Sequence, residues 1–325
     1  MNVPSVANMM DLTISIGTID RYDMLANCLR SIYDDETLDL QVKVVIVING
    51  APDETMAQRI KANFPACDIL QHPSPLGFCR MHNLVMSHSQ SRYVLLLDDD
   101  TVLSKGSLKR MISYMDDNPE VGIASCRTVH PDGEFQKTYG LMPTVKTEFL
   151  NAIKVSNFWP DSLYDDSPTP KDVDWLNGHF MLVRSDVIAK VGGLDDYYYT
   201  YVCEPDWCYR IRKAGWRVVY VPDITIIHAC GSHSIYTRSR KYIDIVRAHV
   251  NRYYFFHKHY SAVECFLLRP IMVIGALLRV AHYSALYVSN ANARQEATTR
   301  VRGFWSVACL SCLSRPFVLP KQGRS

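Results

Sequence analysis

The chain has 325 residues, 48% of them hydrophobic, with 35 Lys and Arg against 33 Asp and Glu. That length holds one large α/β domain with a tail, or two smaller domains, and near-neutral charge excludes a general nucleic-acid role. Ten cysteines without a paired framework, in a chain that opens with no basic region followed by an apolar signal segment, fit a reducing cytosol.

Leu12 to Gly17 reads as a short apolar strand, and Leu25, Cys28, Leu29 and Ile32 recur behind it at helical spacing. Val42 to Ile48 is a fully apolar strand ending at Asn49-Gly50, with a polar helix over 54–63. A third strand over 68–71 leads through Pro73-Ser-Pro-Leu-Gly77 into a helix over 79–87. The fourth strand, Tyr93 to Leu97, delivers three consecutive carboxylates, Asp98, Asp99 and Asp100. Apolar strands alternating with helices specify an α/β fold whose parallel, doubly wound sheet binds ligands at the carboxyl ends of its strands.

The three aspartates are the most informative feature. Like charges this close repel and raise one another's pKa unless a divalent cation or donor hydrogen bonds neutralise them. Oxygen ligands of this kind suit Mg²⁺ or Mn²⁺. The alternative is a solvated turn in which Asp99 or Asp100 caps a helix beginning near Lys105.

A further strand follows at 121–126, and then 128–171 is irregular and rich in Pro, Asp and aromatic residues, the pattern of a variable flap. Val173-Asp-Trp-Leu-Asn-Gly-His-Phe-Met-Leu-Val-Arg184 reads as a turn feeding a strand, with a helix from Ser185. In Glu204-Pro-Asp-Trp-Cys-Tyr-Arg-Ile-Arg-Lys-Ala-Gly215, Pro205 suits a first helical turn and Gly215 a C-terminal cap. Two short strands, 218–221 and 225–227, end at His228.

From Arg238 onward acidic residues are rare and Arg and Lys recur, so the chain divides into a catalytic-type domain at 1–237 and a basic, apolar helical region at 238–325. The run Cys265 to Val288 is interrupted by Arg269, Arg279 and His282, too charged for a simple spanning helix. An interfacial amphipathic helix on a membrane surface fits better. The alternatives are packing on the domain or a homodimer contact. Cys309-Leu-Ser-Cys312 has metal-like spacing but no second Cys/His pair near it, which argues against zinc.

Taken in order, these segments resemble the inverting family 2 glycosyltransferases with the GT-A fold, over roughly Leu12 to His259. Leu12 to Ile32 looks like the nucleotide-binding strand and helix, and Leu76-Gly-Phe-Cys-Arg-Met-His-Asn83 like the family's Gly-Phe-x-x-x-x-Asn segment. Asp98-Asp-Asp100 falls where an Asp-x-Asp metal motif belongs, Glu204-Pro-Asp-Trp-Cys-Tyr-Arg210 where the family has its Glu-Asp helix, and His228 where a histidine closes the metal site in some members. Val173-Asp-Trp175 with Gly178 and Arg184 is similar to bacterial rhamnosyltransferases.

The resemblance implies transfer of a sugar from a nucleoside diphosphate donor to a glycan or lipid-linked glycan acceptor, on the cytoplasmic face of a membrane, in surface polysaccharide synthesis. dTDP-rhamnose is the leading donor, with galactofuranose, glucose or another hexose as alternatives. Mn²⁺ or Mg²⁺ would be held by Asp98, Asp100 and His228, and neutralise the departing diphosphate. Glu204 would be the general base, kept ionised by its helix N-terminus, with Asp206 as the fallback. Thr18, Asp20, Asn49, Gly77, Arg80, Asn83, Asp98, Asp99, Trp175, Gly178, Arg210 and His233 complete the expected substrate site.

Two departures bear on this reading. Cys203-Glu204 stands where the family has Glu-Asp, and Ile48 where many members carry a base-reading Asp, which leaves base recognition to Thr18, Asp20 or Asn49. A sugar-nucleotide-binding scaffold without turnover is the non-enzymatic alternative. Asp98-Asp-Asp-Thr-Val also fits the nucleophile motif of haloacid dehalogenase-like phosphatases, but it follows three βα units and no Gly-Asp dipeptide occurs downstream.

Overall fold

The computed structural model of the chain describes residues 10–35, 39–50, 53–153, 169–229 and 242–312. They form two compact units, Met1–Gly140 with Asp166–Cys230 and Leu141–Asp165 with Gly231–Ser325.

The first unit opens with β1 (Met10–Thr18), α1 (Tyr22–Tyr33), β2 (Val42–Asn49), α2 (Glu54–Asn63), β3 (Asp68–His72), α3 (Gly77–Met86) and β4 (Ser91–Asp98). β3, β2, β1 and β4 lie side by side and parallel. Their residues alternate between two covered faces, the mark of a doubly wound sheet. Val44, Ile46 and Ile48 pack with Leu25, Cys28, Leu29 and Ile32 of α1. Val45 and Val47 pack with Met81 and Val85 of α3.

The remaining elements are β5 (Thr101–Leu103), α4 (Ser107–Asp117), β6 (Val121–Val129), β7 (Phe135–Gln136), β8 (Tyr139–Gly140), β9 (Lys171–Asp172), β10 (Trp175–Leu176), β11 (Phe180–Arg184), α6 (Ser185–Val191), α7 (Cys203–Lys213) and β12 (Arg217–His228), while α5 (Val145–Ala152) belongs to the second unit. Beyond β4 the sheet runs β11, β6, β12, β5. β11 is antiparallel to both β4 and β6, and β5 is antiparallel to β12, so the sheet is mixed and mostly parallel. Hydrophobic pattern carries no strand direction, so it does not say which strands of a mostly parallel GT-A sheet run the other way. The two short strands expected at 218–227 are one strand, β12, interrupted by a register shift between Val221 and Thr225.

The segment expected to be an irregular flap contains β7 and β8 as well as α5 (Val145–Ala152), while 154–168 lies outside the described residues. Neither Asp99 nor Asp100 caps α4. Its N-cap is Gly106, at φ 76°, whose N–H donates to Asp35 Oδ2 at 2.7 Å.

In the second unit, α8 (Tyr242–His259), α9 (Ala262–Ser289) and α10 (Arg294–Cys312) join α5. Ile245, Val246, Val250, Ala276, Phe304 and Val307 form their core. A Ser261/Glu264 capping box starts α9. Arg279, counted above as a charge against a spanning helix, donates to the backbone oxygens of Asn151 and Ala152 at the end of α5, a favourable place for a cation.

α3 is tied to β1 by a buried contact, Ser15 Oγ to His82 Nδ1 at 2.8 Å. Burial keeps the His82 ring neutral, with its pKa pushed down to about 4 despite the pull of Asp98. A histidine titrating near 6.5 when unfolded and near 4 when folded leaves stability intact above pH 6.5 and removes it as pH falls toward 4. Urea unfolding should therefore show about 3 kcal/mol of stability lost to this group between those limits, and a His82→Gln variant should show a shallower acid dependence.

Candidate active site

The carboxyl end of β4 carries Asp98, and β5 begins three residues on at Thr101. β12 sets His228 opposite Thr101, which brings its imidazole to the two flanking carboxylates. His228 Nε2 lies 3.1 Å from Asp100 Oδ1 and 3.7 Å from Asp98 Oδ2. Among the described residues this is the cluster able to hold a metal, with one ligand atom from each side chain, all within 4.8 Å of one another.

The donor set fits a divalent cation. Asp100 Oδ1 and His228 Nε2 are buried facing each other and have no other hydrogen-bond partner, and polar atoms buried this way call for a group between them to satisfy both. A neutral ring presenting its Nε2 lone pair to two carboxylates is repulsive, and a cation or a proton relieves it. Burial opposes a charged ring, yet Asp100 and Asp98 outweigh it and raise the His228 pKa to about 9.

Asp99 faces elsewhere. It is fully buried beside Thr18, and burial lifts its carboxyl to about 7 against the pull of Arg21. The Arg21 guanidinium contacts Asp99 Oδ1 and lies 3.1 Å from Asp100 Oδ2. Sequence reasoning passed over Arg21, though its place in the first βα turn, at the carboxyl end of β1, was a usable signal.

Glu204 occupies the first turn of α7, reached through Tyr201 and Val202, both with positive φ (64° and 66°). A β-branched residue in the left-handed region is a strained outlier, and such strain is stored where the surroundings over-determine it. Glu204 Oε2 accepts from Cys203 Sγ at 3.2 Å. A Cβ on Gly178 would meet Glu204 Oε1 at 3.1 Å and the Phe78 ring at 2.7 Å, so the missing side chain admits both. The adjacent residue, His179, accepts the Asp98 N–H at 3.2 Å, and this places Glu204 in the neighbourhood of the Asp-Asp-His cluster. The helix start was expected to keep Glu204 ionised. Burial instead raises its pKa, against its hydrogen bonds to backbone N–H and Cys203.

The other expected site residues separate into those near the strand ends and those tied up in structure. Asn49, at the end of β2, accepts the Leu76 N–H at 2.7 Å and so anchors the approach to α3; Asp20 is exposed. Gly77 has φ 73°, and a Cβ there would strike Tyr199, whose carbonyl accepts the Phe78 N–H at 2.8 Å. Asn83 holds the same returning loop, donating to Leu194 O and Asp196 Oδ1 at 2.7 Å each and accepting from Leu194 N at 2.9 Å. Arg80 is exposed and pairs loosely with Asp196 at 3.9 Å. Asp206 is buried, bonded to Arg210 Nε at 2.9 Å, while Arg210 also donates to Val191 O and Gly193 O. That pair fastens α7 to the end of α6. Trp175 is half-buried with its indole against Gly140. His233 lies outside the described residues.

A mostly parallel sheet with an Asp-Asp-His cluster and a buried carboxylate at its strand ends is that of a GT-A glycosyltransferase. The chain belongs to family 2 of these enzymes: residues 13–191, more than half of its length, match the family described as Glycosyl transferase family 2. It is 24% identical over 233 residues to N-acetylglucosaminyl-diphospho-decaprenol L-rhamnosyltransferase of Mycobacterium tuberculosis, covering 66% of this chain and 74% of that protein. It is also 24% identical to rhamnosyltransferase WbbL of Escherichia coli K12, covering 56% and 72%. In fold it is similar to the mannosyltransferase PcManGT from Pyrobaculum calidifontis, solved with GDP-Man and Mn²⁺, at a TM-score of 0.57 and 15% identity over 95% of this chain and 88% of that one. GalNAc-T7, solved with UDP, GalNAc and Mn²⁺, gives 0.54 at 10% identity, covering 78% and 52%.

The three Asn83 hydrogen bonds bracket the loop that leads to Glu204. Asn83→Ala should cost about 1–3 kcal/mol of stability in urea unfolding, with cleavage by a dilute protease appearing in the 193–202 loop.

Proposed function

We propose that this glycosyltransferase moves rhamnose from a dTDP donor to a lipid-linked glycan acceptor with inversion, in surface polysaccharide synthesis, and requires Mn²⁺ or Mg²⁺. The observation that carries the reading is the buried pair of Asp100 Oδ1 and His228 Nε2, which face each other with no other partner and lie beside Asp98. A divalent cation bound there supplies Lewis-acid neutralisation of the leaving diphosphate. Arg21 adds a fixed positive charge on the nucleotide side of the cluster and, with Thr18 and Asn49, stands where the donor's nucleoside diphosphate enters at the ends of β1 and β2.

Glu204 accepts the proton of the attacking acceptor hydroxyl, in a single displacement that inverts the anomeric centre. Its raised pKa brings it closer to working pH, which strengthens a carboxylate as a base. Trp175 offers an aromatic face to a pyranose. The rhamnose assignment rests on the curated relatives, among them one named dTDP-rhamnosyl transferase RfbF of Shigella flexneri, 22% identical over 194 residues, covering 59% of this chain and 61% of that protein.

The second unit supports action at the cytoplasmic surface of a membrane. No helix among the described residues is long and apolar enough to cross one. α9, however, turns Val263, Phe266, Ile274, Leu277, Leu278 and Val288 to solvent, Phe266 at 71% and Val288 at 77% exposure. At 3.6 residues per turn these fall on about a 120° arc of a helix about 42 Å long. Residues 242–312 carry eight Lys and Arg against three Asp and Glu, which suits an anionic lipid face better than a second copy of the same basic chain. Vesicles containing phosphatidylglycerol should sediment the protein, phosphatidylcholine vesicles should do so weakly, and Phe266→Glu with Leu277→Glu should abolish it. Concentration-dependent dimerisation lost in that variant would replace this surface with a homodimer contact.

A donor screen with purified protein decides the chemistry. Release of nucleoside diphosphate from dTDP-rhamnose should require Mn²⁺ or Mg²⁺ and stop with EDTA. Glu204→Gln should lower kcat about 10²–10⁴-fold and remove an acid limb that lies above the ordinary carboxylate range. Turnover of UDP-galactofuranose or another hexose donor would reassign the sugar. Donor binding without turnover, with membrane lipid acceptors supplied, would establish the scaffold instead.

A further inference from the structure

His228 has two ring nitrogens, and only one faces the carboxylates. The other, Nδ1, lies 3.1 Å from Gln136 Oε1. An amide oxygen only accepts, so Nδ1 keeps its hydrogen and the Nε2 lone pair is left for a cation. Turned the other way, the Gln136 amide would donate to Nδ1, move the ring proton to Nε2 and block the cluster. The oxygen-in orientation serves both an imidazolium and a metal-bound ring without any change at Nδ1.

Gln136 is itself placed by a strand pair. β7 is only two residues long, and its Gln136 pairs with Thr128 on β6. Thr128 Oγ1 in turn bonds His179 Nε2 at 2.8 Å. The His179 ring lies flat on the His228 ring, centroids 4.5 Å apart and planes 14° from parallel. One cross-strand pair thus controls both degrees of freedom of His228: Gln136 fixes its tautomer, and His179, held by Thr128, fixes the plane of its ring.

We propose that Gln136 is a positioning residue for a divalent cation, acting through His228, with the Thr128–His179 contact as the support that holds the ring in plane. This rests on the metal-dependent reading above and goes beyond it, since nothing in the family match or in the Asp-Asp-His cluster assigns a role to the short β7 strand. Partners of this kind on metal-bound histidines change metal affinity by about 10–100-fold when removed.

The test is a Mn²⁺ titration of the full chain followed by the electron paramagnetic resonance of free Mn²⁺, with and without dTDP, for wild type, Gln136→Leu and Gln136→Glu. Thermal midpoints in EDTA control for folding, and ¹⁵N shifts of His228 report its tautomer. Gln136→Leu should bind Mn²⁺ about 10–100-fold more weakly and show a mixed tautomer. Gln136→Glu, which retains an acceptor, should bind within about threefold of wild type or tighter and keep the Nδ1–H form. Equal affinity of wild type and Gln136→Leu overturns this inference alone, as does equal weakening by both variants. A wild type that binds no Mn²⁺ under either condition overturns the metal reading and this inference together.

Discussion

Repulsion among three adjacent carboxylates is the constraint around which this catalytic unit is organised. Each aspartate meets a different answer to its charge. Asp99 is buried against Arg21, Asp100 lies between Arg21 and His228, and Asp98 stays half-exposed with His228 at its side. These partners come from the far side of the sheet and from the first βα turn, so the cluster exists only once β12, β5 and α1 are all in place. Electrostatics here depends on topology: the antiparallel β5/β12 edge supplies the histidine, and the parallel β1/β4 pair supplies the arginine.

A second bracket controls the carboxylate at α7. Gly77 lets the backbone of α3 approach Tyr199, Asn83 grips residues 194 and 196, and the Asp206–Arg210 pair ties α7 to the end of α6. Between these fixed points Tyr201 and Val202 are held in the left-handed region. Asn83, Asp206 and Arg210 thus form a frame that delivers Glu204 to Gly178 and the neighbourhood of Asp98.

Much of this was legible from residue order. The βα alternation through Leu97, the Asp98–Asp100 run, the helix start at Glu204-Pro205 and the strand ending at His228 all follow from hydrophobic period and turn chemistry, and all have their counterparts in the structure. Direction was not legible, because β11 is equally apolar whether it runs with its neighbours or against them. Nor were the long-range partners: Gln136 sits in a stretch with no periodic signal, and Arg210 looks the same in sequence whether it meets a phosphate or two backbone carbonyls. A motif names the residue types a site requires. It does not say which of them face the substrate and which hold the others still.

The interruption of β12 has a consequence for how this chain tolerates length changes. Between Val221 and Thr225 the strand advances four residues while β6 advances from Cys126 to Arg127. The three extra residues, 222–224, are taken up in a bulge, and pairing resumes at Thr225 opposite Arg127. A single-residue change there that slipped the downstream pairing by one would turn the His228 imidazole to the opposite side of the sheet, away from Asp98 and Asp100, while leaving the preceding strand segment where it was. Length at this partly buried bulge, where Ile224 belongs to the core, is therefore tied to the active site through the register at which pairing resumes.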